Sequence, residues 1–276
     1  MGIVNITDLS LVYTGGSNNN DPDLSLGGSP SNYPLTSNIN NLFDNVDEAT
    51  ASSGNVDYRC IYIFNNNVAD TFYNLRIYIE YVTGDESQIQ FGITKITEVQ
   101  NININNTTGG SFDVSYKPPN QSTTETRTVV YDSDPATWAA NIQSQIRSIP
   151  TLDGISVSVS GNFTNRIFNI TFDGNDYRSH DLLTVDGTNL TGSSPTISVS
   201  RSVTGSPINS VPVSLDVSTT PPSGVTFYDS SAIATIGNLY PEEGFPLWFK
   251  RTVFQNSSPV SGEGFKLKII ANPVQV

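Results

Sequence analysis

Histidine is all but missing from this sequence: His180 is the only one in 276 residues, Cys60 the only cysteine and Met1 the only methionine. Imidazoles and thiolates supply most general-base, nucleophilic and soft-metal chemistry at neutral pH. With one of each, a zinc site built from His and Cys lacks its ligands. A Ser-His-Asp or Cys-His machine rests on His180 alone. That residue lies in the polar run Asp176-Tyr177-Arg178-Ser179-His180-Asp181, with no nucleophile-elbow glycines nearby, and reads as a solvated turn histidine. One cysteine also excludes an intrachain disulfide, which leaves stability to core burial or to assembly. Cys60, inside Cys60-Ile61-Tyr62-Ile63-Phe64, reads as a small buried hydrophobe.

Positive charge is scarce too. Lys and Arg number 13 against 26 Asp and Glu, a formal net charge of −13. Sequence-independent nucleic-acid binding needs clustered cations facing phosphates, so no nucleic-acid partner is expected. No apolar stretch approaches the length of a membrane span, and no membrane partner is expected. The start, Met1-Gly2-Ile3-Val4-Asn5-Ile6, lacks the basic and apolar regions of a secretory signal. Gly27-Gly28 and Gly109-Gly110 lack the strand-to-helix setting of a phosphate-binding loop. The carboxylate groups Asp21/Asp23, Asp44/Asp47/Glu48 and Glu242/Glu243 are of the type that serves glycoside hydrolysis or binds a hard cation, a minor alternative here because they lack the regular spacing of a calcium loop. The residues therefore predict a non-enzyme with no catalytic residues, no cofactor and no metal.

What is abundant is Asn, Ser, Thr and Gly, residues of turns and sheet surfaces. The chain reads as mainly β. Residues 3–13 suggest a short strand, and the polar stretch 14–40 an extended N-terminal arm, either a loop over the surface or laid on a neighbour, anchored by Asn41-Leu42-Phe43-Asp44. Strands follow at Asp57–Asn65, Phe72–Val82 and Gln88–Thr94. Residues 99–207 differ: strands at Ser111–Tyr116 and Thr126–Tyr131 precede the one strong helix. Ser133 or Asp134 caps it, Pro135 fits its first turn, and Trp138, Ile142 and Ile146 repeat at i, i+4, i+8 before Pro150. Strands at Ile155–Val159, Arg166–Phe172 and Thr196–Val203 complete a small α+β unit. Strand patterns resume at Val211–Val217, Val225–Tyr228, Ala232–Ile236, Leu247–Val253 and Phe265–Ala271. Residues 1–98 and 208–276 together supply a usual sandwich complement, which neither piece reaches alone. The expected fold is a discontinuous β-sandwich, Ig-like or jelly-roll-like, interrupted by an inserted 99–207 module. Three consecutive domains is the competing parse.

Exposed aromatics and scarce cations are the candidate contact residues. In Phe245-Pro246-Leu247-Trp248-Phe249-Lys250-Arg251, alternation sets Leu247 and Phe249 on one face and Trp248 and Lys250 on the other. Trp248 is either a core residue or a platform for a host-surface glycan. Arg59, Lys250 and Arg251 are candidates for meeting an acidic partner.

Two sets of residues carry a resemblance. Asn41-Leu42-Phe43-Asp44 leading to Tyr58-Arg59-Cys60-Ile61-Tyr62-Ile63, with Gly237-Asn238-Leu239-Tyr240-Pro241 leading to Leu247-Trp248-Phe249-Lys250-Arg251-Thr252-Val253, resembles auxiliary structural proteins of tailed-bacteriophage virions. The central unit is similar to a β-rich module of phage structural and bacterial surface proteins. Its landmarks are Gly110-Ser111-Phe112, the short helix, Val157-Ser158-Val159-Ser160-Gly161, Ile170-Thr171-Phe172-Asp173-Gly174 and Leu183-Thr184-Val185-Asp186-Gly187. The resemblance implies a virion location, capsid or tail subunits as partners and no catalytic motif. Homo-oligomerisation is expected from the arm, ordering on a neighbouring subunit, and from the missing disulfides. Capsid decoration is the leading expectation. A tail, neck or fibre component with a receptor- or glycan-binding role is the alternative.

Overall fold

The computed structural model describes residues 6–272 except 84–86, 120, 150–151, 153–155, 161–165, 174–176 and 210–216. The first strands are β1 (Leu9–Thr14), β2 (Pro30–Pro34), β3 (Asn55–Asn65), β4 (Phe72–Val82) and β5 (Ser87–Thr94), with a short helix α1 (Glu48–Ser53) before β3. The middle holds β6 (Glu98–Tyr116), β7 (Glu125–Val130), α2 (Pro135–Arg147), β8 (Ser156–Ser160), β9 (Ile167–Asp173), β10 (Thr184–Asp186) and β11 (Leu190–Val203). The chain ends with β12 (Val225–Tyr228), β13 (Ala234–Leu239), β14 (Gly244–Val253) and β15 (Phe265–Asn272). The protein is mainly β, as its alternation predicts. It divides into two compact units, Met1–Lys95 with Pro207–Pro273, and Ile96–Ser206.

The discontinuous unit is sandwich-like. One antiparallel sheet runs β12-β5-β14-β3-β1-β2, and a second runs β13-β4-β15. Period-2 alternation turns Ile61, Ile63, Phe91, Leu247 and Phe249 of the larger sheet inward, where they share one apolar core with Leu75, Ile77 and Ile236 of the smaller. Each such side chain, fully buried, contributes roughly 1.5–3 kcal/mol. β2 ends the larger sheet with Pro30 and Pro34, which blunt strand addition at that edge.

The 14–40 segment is not an extended arm. It closes on its own sheet because its backbone finds partners there. The Ser25 carbonyl accepts from the Cys60 N–H (2.7 Å), the Gly28 carbonyl from the Tyr62 hydroxyl (2.8 Å), and Leu35 N–H donates to the Leu11 carbonyl (2.7 Å). Leu42 of the expected anchor is buried in the sandwich core.

The inserted unit is organised by β6, longer than the Ser111–Tyr116 strand its sequence suggests. Its first half pairs with β9 and β11, its second half with β7 and β10. Between the halves the chain turns at Asn106 (φ 56°) and Gly110 (φ 88°). A Cβ on Gly110 would sit 2.1 Å from the Asn189 carbonyl oxygen, so the approach of β11 requires glycine there. The helix α2 forms where its pattern predicts. The Asp134 side chain accepts from Thr137 N–H (3.1 Å), and Trp138, Ile142 and Ile146 enter a core with Ile102, Phe112, Phe168 and Phe172. It ends at Arg147, ahead of Pro150.

The boundaries fall at 95/96 and 206/207, where the sequence suggested 98/99 and 207/208. The difference moves Glu98 into the inserted unit. There Ile96 N–H donates to Ser206 Oγ (3.0 Å) and Ser206 N–H to the Ile96 carbonyl (3.3 Å), so entry and exit strands lie side by side. That closeness is what an insertion requires. The expected strand at Val211–Val217 lies, apart from Val217, outside the described residues.

Candidate functional site

Of the four candidate contact residues, three are inside the sandwich unit. Trp248 is 1 % exposed, Arg59 5 % and Arg251 6 %. The alternation was read correctly, with Trp248 opposite Leu247 and Phe249. The face it occupies is covered, however, by Leu26 from the 14–40 segment, by Tyr58 and Cys60 of β3, and by Val225 and Phe227. Gly92 lies opposite Trp248 on β5, and a Cβ there would meet Val225 and Phe227 at 2.6 and 2.8 Å. Trp248 is therefore a core residue and no glycan platform.

Arg59 and Arg251 belong to a packed ionic cluster at the margin of the inner face. Their guanidinium carbons lie 5.6 and 4.9 Å from the Phe43 ring centroid, within cation–π range. Arg59 is ion-paired with Asp23, and Arg251 Nη2 lies 3.0 Å from Asp57 Oδ2 while Nη1 donates to the Asp44 carbonyl. Each buried cation is thus neutralised within the chain, as burial demands. Lys250 alone stays partly exposed, its amine donating to Gln90 Oε1 (3.1 Å). The four residues do not converge on one surface.

The other chemically capable groups are likewise built into packing or caps. Cys60 is fully buried, and burial pushes its thiol well above the ordinary cysteine value. Asp47 caps α1 by accepting from Thr50 N–H (2.7 Å), which holds its carboxyl below the usual range. Glu243 accepts from Tyr240 N–H (2.9 Å), and Asp44 and Glu242 face solvent. Among the described residues, no three of His, Cys, Asp and Glu group as metal ligands.

His180 is the main correction to the sequence reading. It is 1 % exposed, not solvated. Its ring stacks on Phe172 of β9 at 4.4 Å between centroids and 18° between planes, and Nδ1 lies 3.4 Å from the Tyr116 hydroxyl. The polar run around it turns inward because a buried carboxylate waits there. Glu98, fully buried, accepts from five donors: Gln100 Nε2 (2.7 Å), Arg201 Nε (3.0 Å), His180 N–H (3.0 Å), Ser179 Oγ (3.2 Å) and Gly205 N–H (3.2 Å). Gln100, also buried, donates to the Asp181 carbonyl (3.0 Å) and accepts from Leu183 N–H (2.8 Å). This centre was missed in the sequence. Its signal was phase: Glu98 and Gln100 share the period-2 register of Ile102 and Ile104, and so point to the same core.

Among the described residues, a groove and a strand edge stand out on the surface. On the sandwich unit, a groove of about 610 Å³ runs past Leu11, Leu35, Ile39, Phe43, Arg251 and Leu267. On the inserted unit, among the described residues, β11 pairs with β6 alone and β10 lies alongside the far half of β6, leaving Thr196, Ser198 and Ser200 exposed along a strand whose one charged residue is Arg201. A scan against protein-family models finds no match to this chain, and a search of curated proteins finds none either.

Proposed function

We propose that this chain is a structural protein of a tailed-bacteriophage virion, a capsid decoration protein that acts through protein–protein contacts. The observation that carries the reading is where the scarce reactive groups go. The one imidazole, the one thiol and both tryptophans lie in cores, while the outward positions of β6 and β11 carry mainly Asn, Ser and Thr. A scaffold needs this distribution: rigid interiors and uncharged faces on which a neighbour desolvates few ions. The strand β11 is the natural contact, because an exposed strand edge offers backbone donors and acceptors to a partner. The virion resemblance of the Tyr58–Ile63 and Leu247–Val253 segments supports the same assignment. Tail, neck and fibre positions are the alternative, served by the same chemistry. The glycan-binding form of that alternative loses Trp248 as its contact. Homo-oligomerisation through arm exchange loses its premise, since 14–40 closes on its own sheet.

Quantitative mass spectrometry of gradient-purified particles tests the reading. The expected result is this chain at a fixed stoichiometry to the major capsid subunit. Its presence only in the soluble fraction of the lysate would overturn it.

A further inference from the structure

The only histidine of the chain sits where the inserted unit is tied shut. The 177–183 segment holds entry and exit together. Ser179 N–H donates to the Ser206 carbonyl (2.8 Å), Ser206 N–H to the Tyr177 carbonyl (2.6 Å) and Leu183 N–H to Gln100. His180 lies in the middle of this segment, its backbone N–H on Glu98 and its carbonyl accepting from Arg201.

Among the described residues, the surroundings of the ring admit a neutral imidazole and oppose a charged one. From β9 it meets the face of Phe172. From β6 come the Tyr116 hydroxyl and the Glu98 carboxylate, the latter already engaged by its five donors. From β11 comes the Arg201 guanidinium, and from its own segment the buried Arg178 and the exposed Asp181. Burial first, then the two guanidinium groups, holds the ring well below the ordinary histidine value.

We propose that His180 is an acid-operated latch: protonation of its ring opens the 177–183 segment and the stem it ties, so that Ile96–Ser206 unfolds while the sandwich unit, which has no histidine, stays folded. The sign follows from linkage. Above about pH 6.5 the ring is neutral in folded and unfolded chains alike. Below it the unfolded chain takes up a proton that the folded unit refuses, so stability falls as pH drops from there toward the lowered folded value. Acid release of this kind leaves one rigid body in place and frees the other.

The chain's two tryptophans report the two units separately: Trp138 in the inserted unit, Trp248 in the sandwich. With 5-fluorotryptophan in the unmutated sequence, ¹⁹F NMR is followed from about pH 7.5 to about pH 4, while the single imidazole is followed by its ring carbon signals. The Trp138 resonance is expected to reach its unfolded position about one pH unit above that of Trp248, with the ring gaining its proton only as Trp138 moves. His180→Gln and His180→Phe are expected to shift the Trp138 midpoint toward acid. Simultaneous loss of both resonances, a ring that titrates near its ordinary value in the folded unit, or folded variants with the parent midpoint would overturn the proposal. Should neither variant fold, the two resonances and the ring of the unmutated chain decide alone.

Discussion

The sandwich unit and the inserted unit solve the same problem with different interiors. The sandwich packs two sheets against one apolar core, and keeps its ion pairs, buried Arg59 with exposed Asp23 and the buried Arg251 with Asp57, at the margin. The inserted unit packs one helix on a bent sheet, and then places Glu98, Gln100, Arg178 and His180 in the interior at its stem. Apolar burial is non-directional and insensitive to pH. A buried polar centre is directional: it fixes which strands meet, but each donor lost leaves a desolvated partner behind. The lesson is that the host is built for uniform stability and the insertion for specified closure. The cost of that specification is a vulnerability to acid.

The comparison can be broken most forcefully at Glu98. Removing a buried ion-pair partner typically costs about 3–5 kcal/mol, so Glu98→Ala is expected to lower the denaturant midpoint read at Trp138 and leave that of Trp248 in place. A joint fall of both midpoints would show that the units do not unfold independently. The reciprocal change is Leu75→Ala in the sandwich core, where a cavity costs about 2–5 kcal/mol and the Trp248 signal alone should move. Gly110→Ala sharpens the account of the bend in β6. Its positive φ and the backbone oxygen 2.1 Å from the built Cβ predict a loss of about 2–3 kcal/mol at Trp138, measured in the same denaturation series. The smallest effect is expected from Asp134→Ala, which removes the α2 cap. Because the Thr137 hydrogen bonds hold the Asp134 carboxyl below its usual range, that contribution is present at neutral pH and fades as pH falls through the lowered value. Helical circular dichroism and the Trp138 denaturant midpoint, both read at neutral pH where the inserted unit is folded, should therefore be slightly lower in the variant than in the parent.

Much of the frame was legible because it is local. β4 follows Phe72–Val82 to the residue, and α2 follows its cap, its proline and the Trp138-Ile142-Ile146 spacing. The losses have physical causes. β2 is short and bracketed by two prolines, which local pattern reads as loop. The first half of β6 alternates correctly, but Asn at the outward positions and Glu98 and Gln100 at the inward ones hide it from a hydrophobic count. Trp248 was left open between core and platform, and His180 was misread as solvated, for a shared reason. Their own segments state which way a side chain points, yet part of what buries it comes from far along the chain: Leu26 onto Trp248, and Tyr116 and Glu98 around His180. Burial of that kind is a property of topology, which no window along the chain contains.

The claim that this protein works as a stiff shape on a particle is tested most directly by an electron cryo-microscopy reconstruction of the purified virion. The account predicts density on the capsid surface that accepts each of the two units as a rigid body, with β11 of the inserted unit against a neighbouring subunit. A complete reconstruction in which every density is explained by other chains would contradict it.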